Sequence, residues 1–104
     1  MDSLTYMKKG YVYIITNETR SVLYTGVTSD PRRRIYNHKQ GSGGEFASRY
    51  RVFILLYIEE HPAIMDAIVR EKQIKKWKRE WKMNLIKSIN PDLKDLWREI
   101  INHP

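Results

Sequence analysis

Gly10-Tyr11-Val12-Tyr13-Ile14-Ile15-Thr16, followed after the polar stretch Asn17-Glu18-Thr19-Arg20-Ser21 by Val22-Leu23-Tyr24-Thr25-Gly26-Val27, sets the architecture of this chain. Both runs are dense in β-branched and aromatic residues, and the short polar segment between them predicts a β-hairpin. Outward from the hairpin, Val52 to Ile58 is almost wholly apolar, as in a strand covered on both faces. Asp30-Pro31 places an N-cap residue before a proline at the first helical position, so a helix runs from there to about His38. The Gly/Ser-rich segment Gln40 to Gly44 reads as a mobile loop able to close over a substrate. His61-Pro62 opens a longer helix to about Trp77, a bend precedes a helix from Trp81 to Ser88, and Asn90-Pro91-Asp92 caps a last short helix, LKDLWREII. The order β-β-α-β-α-α-α predicts a small α/β domain, a three-stranded antiparallel sheet flanked by helices, with residues 1–9 as an N-terminal extension and 10–100 as the domain.

Composition narrows the function. The 104 residues lack an apolar run of the length that spans a bilayer, and the N-terminus lacks a signal-peptide core, which predicts a soluble, cytoplasmic protein. With no cysteine, thiolate metal sites and thiol nucleophiles are excluded, and any metal must take oxygen or imidazole ligands. The formal charge of +7 is concentrated in two places. Arg70 to Lys82 holds Arg70, Lys72, Lys75, Lys76, Lys78, Arg79 and Lys82, with Trp77 and Trp81 between them, and Arg32, Arg33 and Arg34 form a second cluster beside Tyr36. Basic clusters interleaved with aromatics favour a polyanion, with an anionic membrane surface as the competing reading.

Glu71 is out of place. Ile64, Ala67, Ile68 and Ile74 define an apolar helical stripe, and at 100° per residue Glu71 falls within about 20° of the direction of Ile64. A carboxylate on that face needs a metal, hydrogen-bond donors or an internal cation such as an arginine. Arg34 and His38, four residues apart, project from one side of their helix and can reach one phosphate. Tyr13 and Tyr24 stand on adjacent strands, where each also fits as a core aromatic.

Taken together, Gly10-Tyr11-Val12-Tyr13, Tyr24-Thr25-Gly26, Asp30 through Arg34 and His38, and Arg70-Glu71-Lys72 resemble the GIY-YIG nuclease superfamily, in particular its small single-domain bacterial branch. The likeness extends over roughly Gly10 to Trp97 and is similar to the N-terminal nuclease of the excision-repair incision subunit. Three departures stand out: Tyr11-Val12-Tyr13 stands in place of Gly-Ile-Tyr in the first motif, Thr25 occupies the centre of the second, and Val27 replaces a lysine of the excision-repair relatives. An asparagine of the family aligns with Met83, leaving Asn84 one position away as a possible substitute.

The resemblance implies a metal-dependent endonuclease acting in DNA repair or recombination, directed by DNA structure more than by sequence. Glu71 would hold Mg²⁺ or Mn²⁺, Arg34 would clamp the scissile phosphate, Tyr24 or Tyr13 would act as general base, and His38 would take a proton or orient water. Arg32, Arg33, Lys39, Arg70, Lys75, Lys78, Arg79 and Lys82 would follow the backbone of DNA, with RNA as an alternative partner. A partner protein could supply targeting. A non-catalytic nucleic-acid-binding module with the same fold is the main alternative, and a membrane-surface or protein-interaction domain the third.

Overall fold

The computed structural model describes residues 8–42 and 44–102. Strands β1 (Gly10–Thr16), β2 (Leu23–Thr28) and β3 (Ile54–His61) form one antiparallel sheet in the order β2-β1-β3. Helices α1 (Pro31–Lys39), α2 (Glu45–Tyr50), α3 (Ile64–Lys75), α4 (Arg79–Ile89) and α5 (Trp97–Ile101) complete the domain. The expected three-stranded sheet with helical flanks is present, with one helix more than the sequence pattern predicted.

The hairpin forms where its residues predict. The Asn17 side chain accepts from the Ser21 and Val22 amides at 2.9 and 3.1 Å, tying the turn in the manner of an Asx motif. Alternation along β1 then divides the apolar residues into two layers. Val12 and Ile14 pack with Ala67, Ile74 and Ile86 beneath α3 and α4, whereas Tyr13 and Ile15 pack with Ile35 and Leu55 on the face carrying α1 and α5. A bulge between Ile14 and Ile15 leaves Leu56 as the extra residue of β3, and both Leu56 and Tyr57 enter the first layer.

Several boundaries differ from expectation for identifiable reasons. His61 ends β3 opposite Gly10 and does not open a helix; α3 starts at Ile64, whose amide is satisfied by the Lys8 carbonyl at 2.8 Å. The Lys76–Lys78 segment separates α3 from α4. The last helix is shorter than LKDLWREII because Asn90 bridges Leu56 and Lys94 and Leu93 takes a positive φ, so Asp95 receives the Trp97 amide in place of the expected Asn90–Asp92 cap. The glycine-rich segment includes Gly43, which lies outside the described residues, as do residues 1–7 of the predicted N-terminal extension. Among the described residues no helix is long and apolar enough to cross a membrane.

One buried group carries a stability prediction. The Thr25 hydroxyl on β2 is buried with no hydrogen-bond partner among the described residues. An unsatisfied buried hydroxyl costs on the order of 1 kcal/mol or more. Thr25→Val, which keeps the shape and removes the polar atom, is expected to stabilise the fold by about 1 kcal/mol. A urea-unfolding midpoint that stays at or below the wild-type value would contradict this.

Candidate active site

The site is built where β1, β2, α1 and α3 meet. Tyr13 lies opposite Gly26 in the β1–β2 register, so both point to the same face. A Cβ placed on Gly26 would lie within 2.9 Å of three atoms of the Tyr13 phenol, which shows that the ring leans directly across this glycine. The missing side chain is therefore a structural requirement, and the glycine of the second motif creates the room that the tyrosine of the first motif occupies. Gly10 does the equivalent for packing: a Cβ there would meet Ala67 Cβ at 2.7 Å and Ile64 Cα at 2.8 Å, so α3 sits close on β1.

Helix α1 supplies two further groups. Asp30 caps it by accepting from the Arg33 amide at 3.2 Å, and Pro31 stands in its first turn. With the helix start fixed, Ile35 enters the core and the flanking i and i+4 positions, Arg34 and His38, reach the tyrosines. Arg34 Nε donates to the Tyr13 hydroxyl oxygen at 3.2 Å, and that hydroxyl lies 3.0 Å from His38 Nε2. With Arg34 donating to the phenol oxygen, the phenol hydrogen is directed at the imidazole. The Tyr24 ring lies 5.7 Å from the His38 ring and 6.5 Å from the Tyr13 ring, and Tyr24 also hydrogen-bonds and helps to hold the Arg34 charge. Among the five residues singled out from the sequence, these four converge on one point.

Glu71 approaches from α3. Its side chain is 12% exposed, and Lys75 pairs with it at 3.3 Å from the next turn of the same helix. The negative charge of Glu71 is felt at the Tyr13 phenol, which places the carboxylate in the neighbourhood of the cluster. Among the described residues no three His, Asp or Glu side chains gather into a metal-binding group. A hard cation held by Glu71 would therefore draw most of its ligands from water and phosphate oxygens, the sparse protein ligation that suits Mg²⁺.

Protonation follows from this packing. Burial pushes the Tyr13 phenol up to about 12, with Arg34 opposing and Tyr24 and Glu71 adding to the rise. Burial first and the Arg34 charge second push His38 down to about 4. At neutral pH the cluster thus holds a neutral phenol, a neutral imidazole and a fixed guanidinium. His38 is 3% exposed, and its Nδ1 has no partner among the described residues. The folded imidazole resists protonation below the ordinary histidine value of 6.5, while the unfolded one accepts it. Stability contributed by the neutral form is therefore complete above pH 6.5 and is lost as pH falls from 6.5 towards 4. The loss is expected to be on the order of 3 kcal/mol, measured as the pH dependence of urea unfolding in wild type minus that in His38→Gln. Equal slopes for the two proteins would contradict the assignment.

The observation that decides the family is the joint use of both motifs around one arginine. The GIY-YIG catalytic-domain profile matches residues 9–84. The chain belongs to the GIY-YIG family. It is 36% identical over 80 residues to UPF0213 protein SH2523 of Staphylococcus haemolyticus, an alignment covering 77% of this chain and 96% of that one. A UPF0213 protein of Syntrophus aciditrophicus is also 36% identical, over 83% of this chain and 98% of its own length. The solution structure of UPF0213 protein BH0048 from Bacillus halodurans superposes with a TM-score of 0.54 and 29% identity, covering 84% of this chain and 92% of that structure. GIY-YIG domains are nuclease domains, typically endonucleolytic, and the fold here is theirs.

The cations separate into groups that the sequence did not distinguish. Lys39 is turned inward, donating to the Phe53 carbonyl at 2.9 Å and to Asp95 at 2.6 Å, which takes it out of the expected phosphate-binding set. Arg79 is held by the Arg20 and Ser21 carbonyls at 2.7 and 3.1 Å and fastens α4 to the hairpin turn. Arg70 pairs with Glu59. Arg32 donates to the Ile100 carbonyl at 3.1 Å, and Arg33 and Lys78 are exposed. Lys75 and Lys82 lie near each other: burial, then the charges of Lys75 and Arg79, make Lys82 easier to deprotonate. Asn84 is exposed on α4, while Met83 packs against the core. The sequence reading missed Glu59; its alternation with Tyr57 and His61 along one strand was the available signal.

Proposed function

We propose that this protein is a divalent-metal-dependent endonuclease that hydrolyses DNA phosphodiester bonds at the Tyr13–Tyr24–Arg34–His38–Glu71 site, directed by DNA structure more than by sequence. The observation that carries the reading is the hydrogen-bonded trio of Arg34, Tyr13 and His38, a cation and two proton-exchanging groups meeting at one hydroxyl within a nuclease fold. Attack on a phosphodiester needs a deprotonated water, charge against the nonbridging oxygens and help for the leaving oxygen.

Each residue has a task suited to its surroundings. The Arg34 guanidinium, oriented by Tyr13 through Nε and by Tyr24, presents a planar, fixed charge to phosphate, which lysine cannot reproduce. The raised Tyr13 phenol acts as a neutral donor that orients the site, leaving Tyr24, in its phenolate form, to take the proton of the attacking water. His38, held neutral, accepts the Tyr13 hydrogen bond at Nε2 and keeps that phenol in place. Glu71 fits a hard cation because its carboxylate is largely sheltered, acts on the Tyr13 phenol, and is paired among the described residues with Lys75 of its own helix. Mg²⁺ or Mn²⁺ bound there supplies positive charge beside the phosphoryl oxygens and acidifies water. Lys75, Lys82, Arg32, Arg33 and Lys78 would follow the phosphate backbone.

The test is a panel of single-stranded, duplex, flap and junction DNA incubated with the protein and Mg²⁺ or Mn²⁺. Incision that requires the metal and prefers a branched substrate is expected; salt-sensitive binding with no incision on any substrate points to a non-catalytic binding module instead.

A further inference from the structure

A second polar cluster lies where α3 meets β3. Glu59, on β3, accepts from the Tyr57 hydroxyl at 2.7 Å and is bonded to His61 Nε2 at 2.5 Å and to Arg70 Nε at 3.0 and 3.3 Å. Its side chain is 17% exposed, and its three donors together hold the carboxyl below its usual range despite burial. The outer face of the Arg70 guanidinium lies 5.2 Å from the Trp77 ring, so the arginine is fixed on two sides.

An ion pair this sheltered is weak evidence of stability, because desolvating both charges offsets most of their attraction. What it supplies is a defined geometry. Arg70 and Glu71 are consecutive on α3 and so point about 100° apart around its axis. Arg70 reaches Glu59 on β3, and Glu71 lies on the neighbouring, largely sheltered face of the helix, its charge acting on the Tyr13 phenol. Ala67 and Ile74 are the fully buried residues of this helix, and the N-cap Ala63 contributes no side-chain hydrogen bond. Arg70 adds a polar, directional link between the helix and the sheet.

We infer that Glu59 is a positioning residue: by anchoring Arg70 it sets the roll of α3 and thereby aims Glu71 into the active site. The inference rests on the nuclease reading above for its effect on activity, and on the Glu59–Arg70 geometry for its effect on Glu71. Residues supporting a metal-binding carboxylate through a second contact alter metal affinity or turnover by about 10- to 100-fold when replaced.

The variants are Glu59→Gln and, as a surface control on the same helix, Lys72→Ala. Two signals are followed: the ¹³Cζ resonance of Tyr13, which senses the Glu71 charge, and the Mn²⁺ concentration for half-maximal binding, followed by electron paramagnetic resonance. In Glu59→Gln the Tyr13 resonance is expected to move towards its position in Glu71→Gln, and the half-saturating Mn²⁺ concentration to rise about 10-fold; Lys72→Ala changes neither. Adding Glu59→Gln to Glu71→Gln should leave the Tyr13 resonance where Glu71→Gln alone puts it. A Tyr13 resonance unmoved by Glu59→Gln in a folded protein overturns the inference whatever the metal does. Absence of Mn²⁺ binding by the wild type counts against the nuclease reading alone, since the Tyr13 signal still decides the positioning role.

Discussion

Replacing Arg34 by lysine is expected to lower single-turnover cleavage by about 100- to 1,000-fold, the usual magnitude for removing a donor that stabilises developing charge. The charge is conserved in this substitution, so the prediction rests on shape. Arg34 uses Nε for the Tyr13 hydroxyl at 3.2 Å while its terminal nitrogens are carried on the same rigid plane. A lysine ammonium can meet the phenol or a phosphate, but its single nitrogen cannot orient both. Tyr13 would then rest on His38 alone, and the second tyrosine would lose the cation that it helps to hold. Affinity for DNA, set by many surface cations, should change less than threefold. A variant that cleaves within tenfold of wild type would mean that Arg34 serves only as a charge.

Gly26→Ala is expected to be nearly as damaging to cleavage and to reduce stability as well. The added methyl collides with the Tyr13 phenol ring at its hydroxyl end, the part engaged by Arg34 and His38. Overpacking of this kind typically costs about 1–3 kcal/mol, and a displacement of roughly 1 Å in a reacting group can lower turnover about 100-fold. The clash has one named partner, which allows a sharp control. In a Tyr13→Ala background the stability cost of Gly26→Ala should shrink by more than half, as expected when two residues in contact are coupled. An unchanged cost in that background would place the strain elsewhere, in the backbone of β2.

The hairpin and the four converging site residues were legible because local rules and long-range structure agree there. Alternation puts Tyr13 and Ile15 on one face, and an N-cap followed by proline fixes the phase of α1, hence where Arg34 and His38 point. Gly26 was visible as a motif letter, but its reason was not, since only the cross-strand register reveals the ring lying over it. Basic residues were the least legible. Nothing in a run such as Arg70 to Lys82 distinguishes a cation that meets a partner distant in the sequence, as Arg70 meets Glu59 and Arg79 the Arg20 carbonyl, from one left at the surface, and Lys39 is likewise held by Asp95. Helix α2 was missed because its six residues carry too little periodicity to mark a helix. The expected start of a helix at His61-Pro62 failed because β3 continues to pair with β1 as far as Gly10, a contact that no local pattern shows.

The carboxylate on the apolar stripe of α3 links the fold most directly to the chemistry, since helix phase alone placed it on the buried side and its side chain is largely sheltered, with its charge acting on the Tyr13 phenol. The measurement that bears on this account most directly compares wild type with Glu71→Gln in nicking a supercoiled plasmid in Mg²⁺, at equal protein concentration and confirmed folding. The account predicts metal-dependent nicking by the wild type and a loss of at least about 1,000-fold in the variant, which keeps the shape of the side chain and removes the charge that a hard cation needs. Nicking by Glu71→Gln at the wild-type rate, with the same dependence on Mg²⁺, would contradict it.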